Sequence, residues 1–268
     1  MKAKKSLGQN FLKSERALSK IIEAGDIKSG ETVLEIGPGL GALTERLLAT
    51  GAKVLAIEKD DNLYESLKQK FSQEITEGKL ILIHDDILNL DLSSSILHTP
   101  YSILPNSRYK LIANIPYNLT GAIFKKFLET DYQPEKIVLL VQKEVAERIV
   151  AKDNKESILS ISIKVYGAPK YIETVKAGSF APSPKVDSAI IEISNISKDN
   201  FTEFTEKTFF EALKAGFQSK RKKLSSNLSN LYPKERVLNA FKELKLDENV
   251  RAEDLNVKEW IEIVKILK

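Results

Sequence analysis

Asn114-Ile115-Pro116-Tyr117 brings a side-chain carbonyl, a stiff turn and a flat ring together within four residues. Pro fixes its own φ, and the Asn amide has one accepting and one donating end. These types at this spacing suit the gripping of an aromatic amine whose nitrogen must be made nucleophilic. Adenine N6 is such an amine: its lone pair is delocalised into the ring, so it attacks poorly unaided. The Asn114 side-chain oxygen and the Ile115 carbonyl would hold its N–H groups, favour a pyramidal nitrogen and stabilise positive charge developing during in-line attack. Tyr117 would stack on a flipped base, worth roughly 1–3 kcal/mol. No general base is obvious, and a methylated ammonium is acidic enough to lose its proton to water. Phe180, in Phe180-Ala181-Pro182-Ser183-Pro184, offers a second ring or edge wall. Its plain alternative is a core aromatic in a rigid loop.

A second constellation lies upstream. Glu35-Ile36-Gly37-Pro38-Gly39-Leu40-Gly41-Ala42 places glycines where a strand turns into a helix, so that a ligand can lie against bare backbone at a helix N-terminus. Gly37, Gly39 and Ala42 also satisfy the dinucleotide fingerprint, which keeps a nicotinamide or flavin protein in play. Glu58, 17 residues after Gly41, fits either case. Its carboxylate would accept from both ribose hydroxyls, roughly 1.5–3 kcal/mol each because the acceptor is charged. The surrounding charge separates the two readings. Glu35, Glu58 and Asp86 ringing one crevice would repel a pyrophosphate and suit the sulfonium of S-adenosylmethionine. Asp86 is placed to accept from the cofactor's adenine amino group. Each acid alone has the plain alternative of a solvated loop residue; their recurrence at successive strand ends favours the site.

The elements that must position these groups follow from the apolar runs. Thr32–Ile36, Lys53–Glu58, Leu80–Ile83, Lys110–Ala113 and Lys136–Val141 read as strands. Ala42–Ala49, Asn62–Phe71, Gly121–Leu128 and Lys143–Val150 read as helices, with Asp60 or Asp61 capping the second. This alternation predicts an α/β fold with a parallel, doubly wound sheet. Lys170–Val175 and Val186–Ile193 follow without a helix between them and predict a closing antiparallel pair. Beyond Ser194 the apolar spacing is helical, as at Phe209, Leu213 and Phe217, or Val237, Phe241 and Leu244. The expected domains are residues 1–196, with an N-terminal arm over 1–30, and a small helical domain over 197–268. Leu92–Ser107, polar with two prolines, is expected to be a surface insertion.

Composition excludes several classes. The 268 residues contain no cysteine and two histidines, which removes thiolate nucleophiles and makes a metal site improbable. No run of about 18 apolar residues suggests a membrane span. The basic start Met1-Lys2-Ala3-Lys4-Lys5 has no apolar stretch after it, so a cytoplasmic protein is expected. Net charge is only +4, from 41 basic and 37 acidic residues, well short of a nucleic-acid coating protein. Basic residues do cluster at Lys220-Arg221-Lys222-Lys223, either to grip nucleic-acid phosphates or as a solvated helix face.

Five motifs then stand in one order: Ser6-Leu7-Gly8-Gln9-Asn10-Phe11-Leu12, the Glu35–Gly41 loop, Asn114–Tyr117, Phe180-Ala181-Pro182-Ser183-Pro184-Lys185-Val186-Asp187-Ser188, and Ala215-Gly216-Phe217 with its basic run. This closely resembles the ribosomal RNA adenine dimethyltransferases, in particular their bacterial small-subunit (16S) branch, over nearly the whole chain. The resemblance implies a Rossmann-like class I methyltransferase sheet, mostly parallel with a closing antiparallel strand, plus an all-helical RNA-binding domain. It implies that Asn10 and the Leu12 backbone join Gly37, Gly39, Glu58, Asp86 and Asn114 in holding S-adenosyl-L-methionine. The residues alone read Gln9–Leu12 as a turn leading into an amphipathic helix. It also implies that two adjacent adenosines near the end of small-subunit rRNA each receive two methyl groups, on a subunit precursor rather than naked RNA. No metal or membrane is implied, and a monomer is the default. Ile115 stands where many single-methylating amino-methyltransferases carry a second Pro. A polar insertion before Lys110 and a longer stretch between Glu58 and Asp86 depart from the commoner sequences and leave Asp85 as an alternative to Asp86. A large-subunit dimethyltransferase of the macrolide-resistance type and an assembly factor with dispensable catalysis are the competing readings.

Overall fold

A computed structural model describes residues 9–91 and 108–268. The expected insertion Leu92–Ser107 and the basic residues Lys2, Lys4 and Lys5 lie outside the described residues. The strands are buried on both faces at the centre of the sheet, as a sheet covered by helices requires, and less so toward its edges. In chain order these are β1 (Phe11–Leu12), β2 (Thr32–Ile36), β3 (Lys53–Glu58), β4 (Leu80–His84), β5 (Lys110–Asn114), β6 (Lys136–Gln142), β7 (Ala168–Val175), β8 (Phe180–Ala181) and β9 (Ser188–Ser194). Seven of them form one sheet in the order β4-β3-β2-β5-β6-β9-β7. β2, β3, β4, β5 and β6 run parallel, and β9 closes antiparallel on β6. From β2 the chain first builds outward to β4, then returns to the other side with β5. That reversal opens a crevice at the carboxyl ends of β2 and β5. Register keeps the chemistry at one edge: Ile36 lies opposite Ile57, and Glu58 opposite His84.

The helices start where local chemistry says they should. Ser14 accepts from the Ala17 N–H and starts α1 (Glu15–Gly25). α2 (Ala42–Ala49) follows the glycine turn directly, and the Asp60 carboxylate caps α3 (Asp61–Lys70) through the Asn62 and Leu63 N–H groups. α4 (Ser72–Thr76), α5 (Thr120–Leu128) and α6 (Lys143–Val150) complete the coverage. Leu18 and Ile21 of α1, Leu47 of α2, Val54, Ile112, Val138 and Ile190 share one core, each fully buried or nearly so. Burying such a side chain is worth about 1.5–3 kcal/mol, so the sheet edge that carries the site rests on a rigid base. Among the described residues no helix is long and apolar enough to cross a membrane.

The chain divides into two compact units, 1–146 with 170–196, and 147–169 with 197–268. The sequence places 147–169 in the first domain. In the structure that segment falls with the helical unit, because the Glu156 N–H bonds the Glu253 carbonyl at 2.8 Å and Lys155 pairs with Asp254. α7 (Ile158–Lys164) thus joins α8 (Glu206–Gly216), α9 (Leu224–Leu228), α10 (Lys234–Glu243) and α11 (Val257–Leu267). Trp260 is fully buried there, and a Cβ added at Gly216 would come within 2.4 Å of its ring. Asn227 donates to the carbonyls of Gly216 at 2.6 Å and Ser219 at 3.0 Å, tying down the turn that leads into Lys220–Lys223.

Candidate active site

The glycine turn is built to leave backbone bare. Gly37, Gly39 and Gly41 have φ of +64°, +61° and +80°, a region that side chains rarely adopt. At Gly41 space is short as well, since a Cβ would stand 2.6 Å from the Phe71 ring. Glu58, at the end of β3, reaches back to this turn. Its Oε2 accepts from the Gly39 N–H at 3.2 Å and its Oε1 from the Asp60 N–H at 2.8 Å. The carboxylate is thereby aimed, with lone pairs to spare. Burial nevertheless pushes its pKa up against those two N–H donors. Glu35, one residue before the end of β2, is 1% exposed and accepts from the Thr44 Oγ1 at 2.7 Å. Desolvation, with Glu58 close by, pushes its carboxyl up to about 8 despite the Thr44 bond. At neutral pH Glu35 therefore holds its proton, and the crevice carries less negative charge than three ionised acids would give it.

The crevice measures ≈ 290 Å³ and is lined by Gln9 to Leu12, the glycine turn, Glu58, Asp85, Asp86 and Asn114 to Leu119, among others. Asp86 is ionised more readily than a free Asp, chiefly because the Lys59 ammonium bonds its Oδ2 at 2.8 Å. Its Oδ1 accepts from the Leu88 N–H, and Asp85 accepts from the Asp86 N–H. Both acids line the crevice, and the Asp86 side chain is held by two partners where that of Asp85 has the Asp86 N–H. The arm enters as β1, paired antiparallel with β8, so that Phe11 faces Ala181 and Leu12 faces Phe180. Phe11 lies against Gly39, and the Gln9 amide reaches Asp60 at 3.4 Å.

Asn114 closes β5 at the same edge. Its Nδ2 donates to the Asn10 carbonyl at 3.2 Å, which turns Oδ1 away from the arm. Pro116, at φ −56° and ψ 133°, leads into a 3₁₀ turn over Tyr117–Leu119. Ile115 is 2% exposed beneath it. Tyr117 is half-buried and lines the crevice, with its hydroxyl 2.7 Å from that of Ser188. The sequence offers Phe180 as a second wall for the base. In the structure its ring is 5% exposed, packs within the core of the first unit and is not among the residues that line this crevice. The cause is local: β8 pairs with β1 and turns Phe180 inward beside Leu12.

Lys220, Arg221, Lys222 and Lys223 are exposed and make no ion pair among the described residues. No group of three His, Cys, Asp or Glu among the described residues is placed to hold a metal ion. Four contributors escape sequence reasoning: Gln9, Thr44, Lys59 and Ser188. Their partners lie 9 to 71 residues away; Gln9 and Ser188 fall within quoted motifs and Lys59 next to Glu58, but none of these signals names the partner.

A parallel sheet whose order reverses at β2 and β5, closed by antiparallel β9, with a glycine turn beside a strand-end carboxylate, defines a class I methyltransferase fold. The chain belongs to the ribosomal RNA adenine dimethylase family, whose profile matches residues 1–268. Ribosomal RNA small subunit methyltransferase A of Dehalococcoides mccartyi is 41% identical over 263 residues, 97% of this chain and 87% of that one. The crystal structure of a dimethyladenosine transferase from Plasmodium falciparum aligns with a TM-score of 0.76 at 26% identity, over 94% of this chain and 95% of that one. The 23S rRNA methyltransferase ErmE shares the fold with a TM-score of 0.73 at 24% identity, over 96% and 99% of the two chains.

Proposed function

We propose that this chain transfers methyl groups from S-adenosylmethionine to N6 of two adjacent adenosines near the 3′ end of small-subunit (16S) rRNA, two to each. The setting is the assembling small subunit in the cytoplasm, with the enzyme acting as a monomer. The observation that carries the reading is Asn114. Its amide is anchored by the Asn10 carbonyl at the mouth of a crevice that also holds Glu58 and the glycine turn. The identity with small subunit methyltransferase A supports the choice of subunit.

The residues present fit the cofactor. Gly37 and Gly39 offer bare backbone to its amino-acid tail, the aimed Glu58 carboxylate suits a ribose diol, and Asp86 suits an adenine amine. When bound, S-adenosylmethionine supplies an electrophilic methyl on a sulfonium. The chain supplies orientation and charge. Asn114 Oδ1 and the Ile115 carbonyl accept the N6 hydrogens, hold the nitrogen lone pair toward the methyl and stabilise positive charge as it develops. Tyr117 stacks on the extruded base. The proton released from N6 passes to water. Lys220–Lys223 hold rRNA phosphates.

The test offers radiolabelled S-adenosylmethionine with unmethylated small and large subunits separately, followed by nucleoside analysis. Labelled N6,N6-dimethyladenosine is expected from the small subunit alone. Asn114→Ala is expected to lower that yield about 10²–10³-fold, the cost of removing one aimed acceptor. Label in the large subunit, or near-normal turnover without Asn114, overturns the proposal.

A further inference from the structure

The Phe180–Ser188 segment is the longest of the sequence motifs, and its last residue has no role in the chemistry described so far. Ser188 opens β9 opposite Gln142, at the end of the sheet that carries the site. It is fully buried. A hydroxyl in such a place needs a partner, and an apolar side chain of the same size would be less costly unless the hydroxyl serves something. Its side-chain partner is the Tyr117 hydroxyl, 2.7 Å away.

We propose that Ser188 is a positioning residue for methyl transfer: its hydroxyl holds the far end of Tyr117 and so fixes the plane on which the target adenine lies. This rests on the reading that Tyr117 stacks on the base. Two features of the geometry support it. The first is that the anchor is itself immobile. Asp187, the preceding residue, accepts from the Ala177 N–H at 3.0 Å, pairs with Lys176 at 2.9 Å, and takes the Lys143 N–H on its carbonyl at 3.0 Å. The start of β9 is therefore tied both to the loop that carries Phe180 and to the end of β6. The second is leverage. The backbone of Tyr117 is held by Thr120 Oγ1 on its carbonyl at 2.9 Å, which leaves the ring free to swing about its two side-chain torsions. A bond at the hydroxyl, the point farthest from the backbone, removes that swing with a single contact. The phenol is protonated at neutral pH in any case, and partial burial pushes its pKa further up, so a proton is available to the pair.

The role predicts a signature that packing alone would not give. Ser188→Ala, Tyr117→Phe and the double variant are compared on undermethylated small subunits with tritiated S-adenosylmethionine. Cofactor affinity is measured by calorimetry and melting temperature alongside. Each single variant is expected to lower kcat about fivefold, the factor that one net hydrogen bond is worth, and to leave the KM for the subunit and the cofactor Kd unchanged. The double variant is expected to be no slower than either single one, since both remove the same contact. Ser188→Thr, which keeps the hydroxyl, is expected to recover most of the rate. Unchanged kcat in Tyr117→Phe, or effects that multiply in the double variant, overturns the inference. Tyr117→Phe decides the matter by itself if Ser188→Ala does not fold. Tyr117→Ala separates the two levels: normal turnover there removes the stacking reading as well. Lost turnover beside wild-type hydroxyl variants removes the role of Ser188 alone.

Discussion

Glu35 and Glu58 are two acids sharing one crevice wall, and they answer burial differently. Glu58 has two backbone N–H donors, whereas Glu35 has one hydroxyl, from Thr44. Glu35 consequently keeps its proton up to about pH 8, against an ordinary value of 4.5. Between those values the folded chain binds a proton that the unfolded chain has released, so folding stability falls as pH rises through this window. The raised Glu58 carboxyl acts in the same sense. Glu35→Gln removes the titration and keeps a polar group for Thr44. Thermal melts without cofactor should therefore coincide for the two proteins near pH 5. They should separate as pH rises to 9, with the variant melting higher. Parallel curves would mean that Glu35 is ionised in the empty site. The sequence shows an acid at this position. That it stays neutral depends on a burial of 99% that no local pattern encodes.

At the scale of elements, β1, which with β8 is one of the two shortest strands among the described residues, lines the crevice. Phe11 lies against the glycine turn, β1 pairs with β8, and Asn10 just before it takes the Asn114 amide, so the arm reaches both the side proposed for the cofactor and the side proposed for the acceptor. Removing residues 1–10 takes away the Gln9–Asp60 and Asn10–Asn114 contacts but leaves Leu12 in the core. We expect cofactor affinity and turnover each to fall about tenfold or more, as two net hydrogen bonds imply, with little change in melting temperature. Calorimetry and single-turnover rates check this. Undiminished kcat would show that Asn114 keeps its orientation without the arm. The long strands were legible because continuous apolar runs of five to seven residues, such as Lys136–Gln142, have one stable use in an α/β chain. The arm was not: two residues show no period, and their pairing partners lie far along the chain at Phe180 and Ala181. The setting of Phe180 is hidden for the same reason, since its partner strand is made by the arm.

Over the whole molecule, four of the five motifs fall in one unit, and the fifth, with its exposed basic run, in the other. Alternating apolar runs announce the first unit, but the capture of 147–169 by the helical unit depends on long-range contacts such as Glu156 with Glu253. Net charge of +4 gives no sign of the basic run, because 37 acidic residues offset most of the 41 basic ones. Lys220, Arg221, Lys222 and Lys223 are exposed, and the turn before them is pinned by Asn227, so their charges are displayed from a fixed base. If each meets a phosphate, replacing all four by Gln should weaken binding of small-subunit rRNA. It should also flatten the plot of log affinity against log salt by about three to four, roughly one per lost contact. Cofactor affinity, which belongs to the crevice of the first unit, should not move. A slope that stays at its wild-type value would assign the run to a solvated face and move the RNA grip to other surfaces of the chain.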